Sequence, residues 1–161
     1  MAGFTTTLRG LDDTEKLGQA LAVSLGPGRV VALSGPLGAG KSELARQIIR
    51  QLCPDQNDIP SPTFTLVQSY LTAPGFEIWH LDLYRLTHPD EVWALGIEEA
   101  FQGCLCLIEW PERIAGLMPS DTVYLNIEPD GDDEDRRRVS LSCTSDITPL
   151  RDACSEAGLS G

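Results

Sequence analysis

Apolar residues along this chain fall into three spacings, and each predicts a different kind of element. Leu17, Leu21 and Leu25 recur every four residues, so 14–25 is expected to be a helix with one buried stripe, capped by Asp12 or Asp13 and broken by Gly26-Pro27-Gly28. Leu44, Ile48 and Ile49, set opposite Arg46 and Arg50, predict a second helix over 42–52 that stops at Cys53-Pro54. Residues rich in threonine, valine and aromatics mark strands: 4–9, with its threonines, reads as a short edge strand and 61–70 as a longer one. Residues 76–84, where Ile78, His80 and Asp82 alternate with Trp79, Leu81 and Leu83, read as its antiparallel neighbour across a turn at Ala73-Pro74-Gly75. Unbroken apolar runs at 30–33 and 104–108 predict strands buried on both faces. Gly96 divides two helical fragments, 89–95 and 97–101, and Pro111 starts a short helix. Residues 122–128 and 138–143 form a hairpin whose acidic tip, 130–135, is expected to be a solvated turn. From Thr144 the pattern fades, and 144–161 is expected to be a frayed helix or a disordered tail.

One junction between elements carries chemistry. Val30-Val31-Ala32-Leu33-Ser34 leads into Gly35-Pro36-Leu37-Gly38-Ala39-Gly40-Lys41-Ser42, which matches G-x-x-x-x-G-K-[ST], the phosphate-binding P-loop. Glycines at these places allow backbone angles closed to other residues, so successive N–H groups point at one anion. Lys41 then reaches the outer phosphates, Ser42 offers its hydroxyl to magnesium, and the helix adds its partial positive end. The expected fold is α/β: a single P-loop NTPase-like domain over 1–143, with a central mixed, mostly parallel sheet flanked by helices and a C-terminal antiparallel hairpin.

Charge narrows the partners. The 161 residues carry a formal charge of −12, with two lysines, Lys16 and Lys41, against 24 acids. Such a surface repels phosphate backbones, so any link to RNA is expected to pass through a partner. The five cysteines fit neither a disulfide framework nor a zinc pattern. Cys104 and Cys106 alternate onto one strand face and read as buried hydrophobic thiols. Met1-Ala2-Gly3-Phe4 lacks a basic segment leading into an apolar one, and no apolar run approaches membrane-spanning length, so a cytoplasmic protein without a membrane partner is expected.

Ligands of open α/β sheets bind beyond the carboxyl ends of parallel strands, so acids at those ends are the candidates to complete the site. Glu109 closes an apolar strand as a Walker-B acid would, in a position to hold magnesium. Asp82 sits among Trp79, Leu81, Leu83 and Tyr84, where an unpaired carboxylate is costly; a salt bridge to Arg85 competes with a role in polarising the attacking water. Thr63 reads either as a switch threonine sensing the last phosphate or as a β-branched residue opening a strand. His80 reads as packed or hydrogen-bonded rather than as a ligand, and Arg136, Arg137 and Arg138 as balancing the neighbouring acids rather than facing phosphate.

Taken together, the P-loop, Ser61-Pro62-Thr63-Phe64-Thr65-Leu66-Val67, His80-Leu81-Asp82-Leu83-Tyr84-Arg85-Leu86 followed by Leu95-Gly96, and Ile108-Glu109-Trp110-Pro111 resemble the TsaE family, the ATPase component of bacterial tRNA threonylcarbamoyladenosine synthesis. The resemblance covers roughly residues 14–113. It implies a weak ATPase that binds ATP and Mg2+ and works with the TsaB–TsaD pair, touching tRNA only through those partners. By position it implies Lys41 and Ser42 at phosphate and magnesium, Glu109 at magnesium, Asp82 in hydrolysis, Thr63 as the switch threonine and Trp110 beside the nucleotide. The adenine is then expected near the start of the first helix, around Leu11 and Thr14. Two residues depart from the family pattern: Pro36 stands where Asp is usual and removes one loop donor, and Ser42 replaces Thr with the same hydroxyl.

Two other readings share the loop. A small nucleotide or metabolite kinase needs an arginine-rich lid, and outside the P-loop helix and the Arg136 cluster only Arg9, Arg29, Arg85, Arg113 and Arg151 remain, unclustered. A non-catalytic nucleotide-gated adaptor is the second. No lysine follows an asparagine as a guanine-reading element requires, which favours ATP over GTP.

Overall fold

Val30, Val31, Ala32 and Leu33 are all fully buried, as expected of a strand covered on both faces. In the computed structural model, which describes residues 2–63 and 65–159, this strand lies at the middle of a seven-stranded sheet. In chain order the elements are β1 (Ala2–Arg9), α1 (Leu11–Ser24), β2 (Val30–Ser34), α2 (Lys41–Leu52), β3 (Val67–Leu71), β4 (Glu77–Asp82), α3 (Asp90–Trp93) and α4 (Ile97–Gly103). They continue with β5 (Leu105–Glu109), a 3-10 segment (Pro111–Leu117), β6 (Val123–Asp130), β7 (Asp133–Cys143) and α5 (Thr148–Glu156). The spatial order is β1-β7-β6-β2-β5-β4-β3. β2 runs parallel to β5 and β6, and β4 parallel to β5, while β1–β7, β6–β7 and β3–β4 pair antiparallel. Only β3 and β7 therefore run against the rest, giving the mixed, mostly parallel α/β sheet that the pattern predicts.

Side-chain alternation divides the core between the two faces. Val31, Leu33, Leu105 and Leu107 pack with Leu17, Leu21, Leu44 and Ile48 of α1 and α2. Val30, Cys106 and Ile108 point the other way, onto Val92, Ile97, Ala100 and Ile114. β4 obeys the same rule: Ile78 joins the first cluster and Leu81 the second, so His80 and Asp82 share Ile78's face, the one that α2 covers.

Several boundaries differ from the sequence expectation. α1 begins at Leu11, three residues early, behind Gly10 at φ 82°, and without a side-chain cap. Asp13 instead accepts the Arg9 N–H at 2.8 Å. Of the strand expected over 61–70, only Val67 onward pairs. Before it, the N–H groups of Thr65 and Leu66 donate to the Pro62 carbonyl, and Leu66 takes φ 72°, making a turn. Phe64, also assigned to that strand, lies outside the described residues. The hairpin tip is shorter than 130–135, because β1 pairs with β7 as far as Arg136 and the ladder carries the strands nearly to Gly131.

The region expected to be a frayed or disordered tail holds α5, with Leu150 and Cys154 buried together with Leu159. Its apolar anchors are too few to announce a helix, but they belong to the same core cluster as Leu17 and Leu21 of α1. Cys106 is fully buried, Cys104 only half-buried just before β5, and all five thiols are free. Among the described residues no helix is long and apolar enough to cross a membrane.

Candidate functional site

β2 delivers the chain to the glycine-rich loop at its carboxyl end, and α2 leaves from it at Lys41. Gly35, Gly38 and Gly40 all have positive φ (143°, 76° and 107°), for two different reasons. At Gly35 a Cβ would come within 2.2 Å of the Ile127 carbonyl oxygen, so β6 leaves no room for a side chain. At Gly38 and Gly40 a Cβ would meet nothing within 4 Å, so what matters there is the left-handed backbone and the open space in front of it. The first N–H groups of α2 face that space without intrahelical acceptors.

Lys41 is 5% exposed. Its Nζ donates to the Gly35 carbonyl at 2.6 Å and sits 3.5 Å from the centre of the Trp110 ring. Burial pushes the Lys41 amine below the usual lysine range, and the carboxylates of Glu109, Glu112 and Asp82 pull it back up. Trp110 takes a left-handed backbone (φ 59°, ψ 52°) at the start of the 3-10 segment, and its ring lies 5.0 Å from that of Tyr84.

The parallel register of β4 and β5 sets Asp82 directly beside Glu109. The Ser42 hydroxyl donates to both Glu109 oxygens, at 2.8 and 3.0 Å, and His80 Nε2 lies 2.7 Å from Glu109 Oε2. Asp82 accepts from the Thr63 hydroxyl at 2.9 Å and from the Tyr84 N–H at 3.0 Å, two donors that make its burial tolerable. These groups converge on a cavity of about 300 Å³ lined by residues 37–43, Thr63, Asp82, Glu109 and Trp110. A second cavity of about 180 Å³ adjoins it across Gly38, Ala39 and Gly40, and takes in Leu11 and Thr14. Gly35 and Pro36 line neither cavity: Gly35 packs against β6, and the Pro36 carbonyl closes the turn by accepting the Ala39 N–H at 3.2 Å.

Two residues matter more than their sequence context suggests. Arg137 was expected to balance acids, yet its Nε donates to the Ala39 carbonyl at 3.3 Å and it lines the second cavity. Arg136 does balance an acid, Asp130, at 3.3 Å. Arg137 reaches the loop because β6, which pairs Pro129 with Arg137, lies directly beside β2, so no local signal announces it. His80 does have a signal, since it stands two residues before Asp82 and therefore on the same sheet face.

Residues 8–139 match the model of the family described as Threonylcarbamoyl adenosine biosynthesis protein TsaE. The chain belongs to the TsaE family. A tRNA threonylcarbamoyladenosine biosynthesis protein TsaE from Rickettsia bellii is 42% identical over 134 residues, covering 83% of this chain and 92% of that protein. The Bacillus subtilis protein of the same name is 33% identical over 124 residues, 76% of each chain. The crystal structure of Bacillus subtilis YdiB superposes with a TM-score of 0.74 over 98% of this chain and 95% of that one; at 24% identity it speaks for the fold alone.

The donor set of this TsaE-family chain has a definite chemical character. Ser42 and Glu109 are hard oxygen donors, and no group of three or more His, Cys, Asp or Glu side chains able to hold a metal occurs among the described residues. That combination fits a small divalent cation that fills its remaining positions with water and phosphate oxygen. The loop backbone, the α2 N-terminus and Lys41 fit the phosphates themselves.

Proposed function

We propose that this chain binds ATP with Mg2+ and hydrolyses it, as the ATPase component of tRNA threonylcarbamoyladenosine biosynthesis that supports turnover by TsaB and TsaD. The observation that carries the reading is the 300 Å³ cavity in which loop, Lys41, Ser42, Asp82, Glu109 and Thr63 meet at the carboxyl ends of parallel strands. Family membership supports the pathway and the partners.

In this reading the loop N–H groups and the α2 N-terminus cradle the phosphate oxygens. Lys41 leaves the Gly35 carbonyl for the outer phosphates, a move that exchanges a neutral acceptor for an anionic one. Ser42 and Glu109 hold the cation, which when bound neutralises charge on the phosphates. Asp82 orients water for in-line attack, and Thr63, already on Asp82, reports the state of the last phosphate to the neighbouring Thr65 and Leu66, whose N–H groups are tied to the Pro62 carbonyl. The second cavity, with Leu11, Thr14 and Arg137, takes the adenosine. With its surplus of acids the surface suits contact with a protein partner better than direct contact with tRNA.

The test is ATP hydrolysis by the full chain with and without purified TsaB–TsaD, alongside a panel of monophosphate acceptors. Stimulation by the proteins and indifference to the acceptors is expected. Phosphate transfer to an acceptor would replace this reading with the kinase.

A further inference from the structure

His80 touches Glu109 but lines neither cavity. Its side chain is fully buried in β4, between Gln68 of β3 and Leu107 of β5, where alternation alone asks for an apolar residue. Its Nδ1 is buried without a hydrogen-bond partner, which is a standing cost. What offsets that cost is Nε2, 2.7 Å from Glu109 Oε2. A carboxylate only accepts, so Nε2–H is the donor and Nδ1 the bare nitrogen, the arrangement that leaves no buried N–H unpaired.

Glu109 needs such a donor. The last torsion of a glutamate is soft, with broad minima, so a donor on one side does not fix the carboxylate plane. Ser42 grips it from the loop, and its hydroxyl reaches both oxygens at nearly equal distance. His80 grips Oε2 from within the sheet. We propose that His80 is a positioning residue, whose Nε2–H holds the Glu109 carboxylate in the orientation that presents Oε1 to a divalent cation shared with Ser42. The proposal rests on the reading of Glu109 as the cation-holding acid.

The experiment separates the two ideas by measuring ADP binding calorimetrically across a Mg2+ titration in the full chain, so that no turnover is needed. His80→Leu is expected to keep metal-free ADP binding and to require about 10-fold more Mg2+ for half of the metal's effect. His80→Gln, whose amide nitrogen falls where the imidazole Nε2 lies, is expected to restore most of that loss. His80→Asn, whose amide falls short, is not. Wild-type Mg2+ dependence in His80→Leu, or equal behaviour of the Gln and Asn variants, overturns the proposal; should His80→Leu fail to fold, the Gln–Asn comparison decides alone. Nitrogen-15 NMR of the His80 ring in the nucleotide-free protein is expected to show the proton on Nε2, and a proton on Nδ1 instead would overturn it as well. Glu109→Gln is the reference: an unaltered Mg2+ dependence there removes the Glu109 reading and this one together, whereas a shift in Glu109→Gln with none in His80→Leu removes only the role of His80.

Discussion

Asp82 and Lys41 occupy the same cavity with different means of support, and that difference predicts different losses. Asp82 is held by Thr63 and by the Tyr84 N–H. An Asp82→Asn change keeps the shape and an acceptor oxygen while removing the charge that would orient water. ATP binding is expected to stay within about threefold of wild type, while turnover with TsaB–TsaD falls by about 100-fold or more, the scale of a lost general-base contribution. Equilibrium binding and steady-state phosphate release measure the two separately. If turnover survives in Asp82→Asn, the attacking water is oriented by another group. Lys41→Ala should instead lose productive turnover through the phosphates themselves, and wild-type rates in the partner-reconstituted assay would refute that role. Lys41, Ser42 and Glu109 were legible in the sequence because each sits at a fixed offset from a recognisable junction. Arg137 was not, because its place depends on the β6–β7 hairpin lying against β2.

Among the elements, α1 and α2 meet more closely than their composition announces. A Cβ on Gly18 would lie 2.6 Å from Gln47 Cβ and 3.1 Å from the Gln47 carbonyl carbon, so the absence of a side chain in mid-helix is what lets α2 approach. Gly18→Ala gains up to about 1 kcal/mol of helix propensity, but overpacking against a neighbouring backbone costs about 1–3 kcal/mol. A net loss is expected in denaturant unfolding, and a stabilised variant would show that the two helices can part freely. The contact matters for function because α2 carries Lys41 and Ser42 at its first turn. α5 packs beside α1 in the same core, burying Leu150 to 4% exposure. Leu150→Ala should cost about 2–3 kcal/mol in the same measurement, the lower part of the range for a buried leucine; no loss would mean that α5 contributes nothing to the fold.

For the whole molecule, burial of thiols gives stability a dependence on alkaline pH. Burial pushes the Cys106 thiol up to about 12 and that of Cys154 up to about 11, from an ordinary value of 9.0. Above pH 9 the unfolded chain gives up thiol protons that the native protein keeps. This contribution is therefore complete below pH 9 and is lost as pH rises toward 11 and 12. For Cys106 the limiting slope is about 1.4 kcal/mol per pH unit. Urea unfolding under reducing conditions at pH 8 and pH 10.5 should show wild type losing more stability than Cys106→Ala over that interval, and parallel losses would place the alkaline sensitivity elsewhere. At neutral pH the net charge of −12 works against any free anion. Lys41 and Arg137, set at the two cavities beside the loop, supply positive charge on an otherwise acidic molecule.

The sequence by itself determined the α/β class, the loop with its lysine and hydroxyl, the two acids at strand ends and the antiparallel hairpins. All of these are written in short-range spacing: period two, period four, glycines at set offsets. Tertiary structure decided the rest. It set Asp82 beside Glu109 through the β4–β5 register, and it brought His80 beneath that carboxylate and Arg137 to the loop. It turned an unpatterned tail into a packed helix and tied the Thr65 and Leu66 N–H groups back to the Pro62 carbonyl instead of into a strand. Those outcomes depend on which strand lies next to which, and an alternating pattern specifies the face of a strand without naming its neighbour.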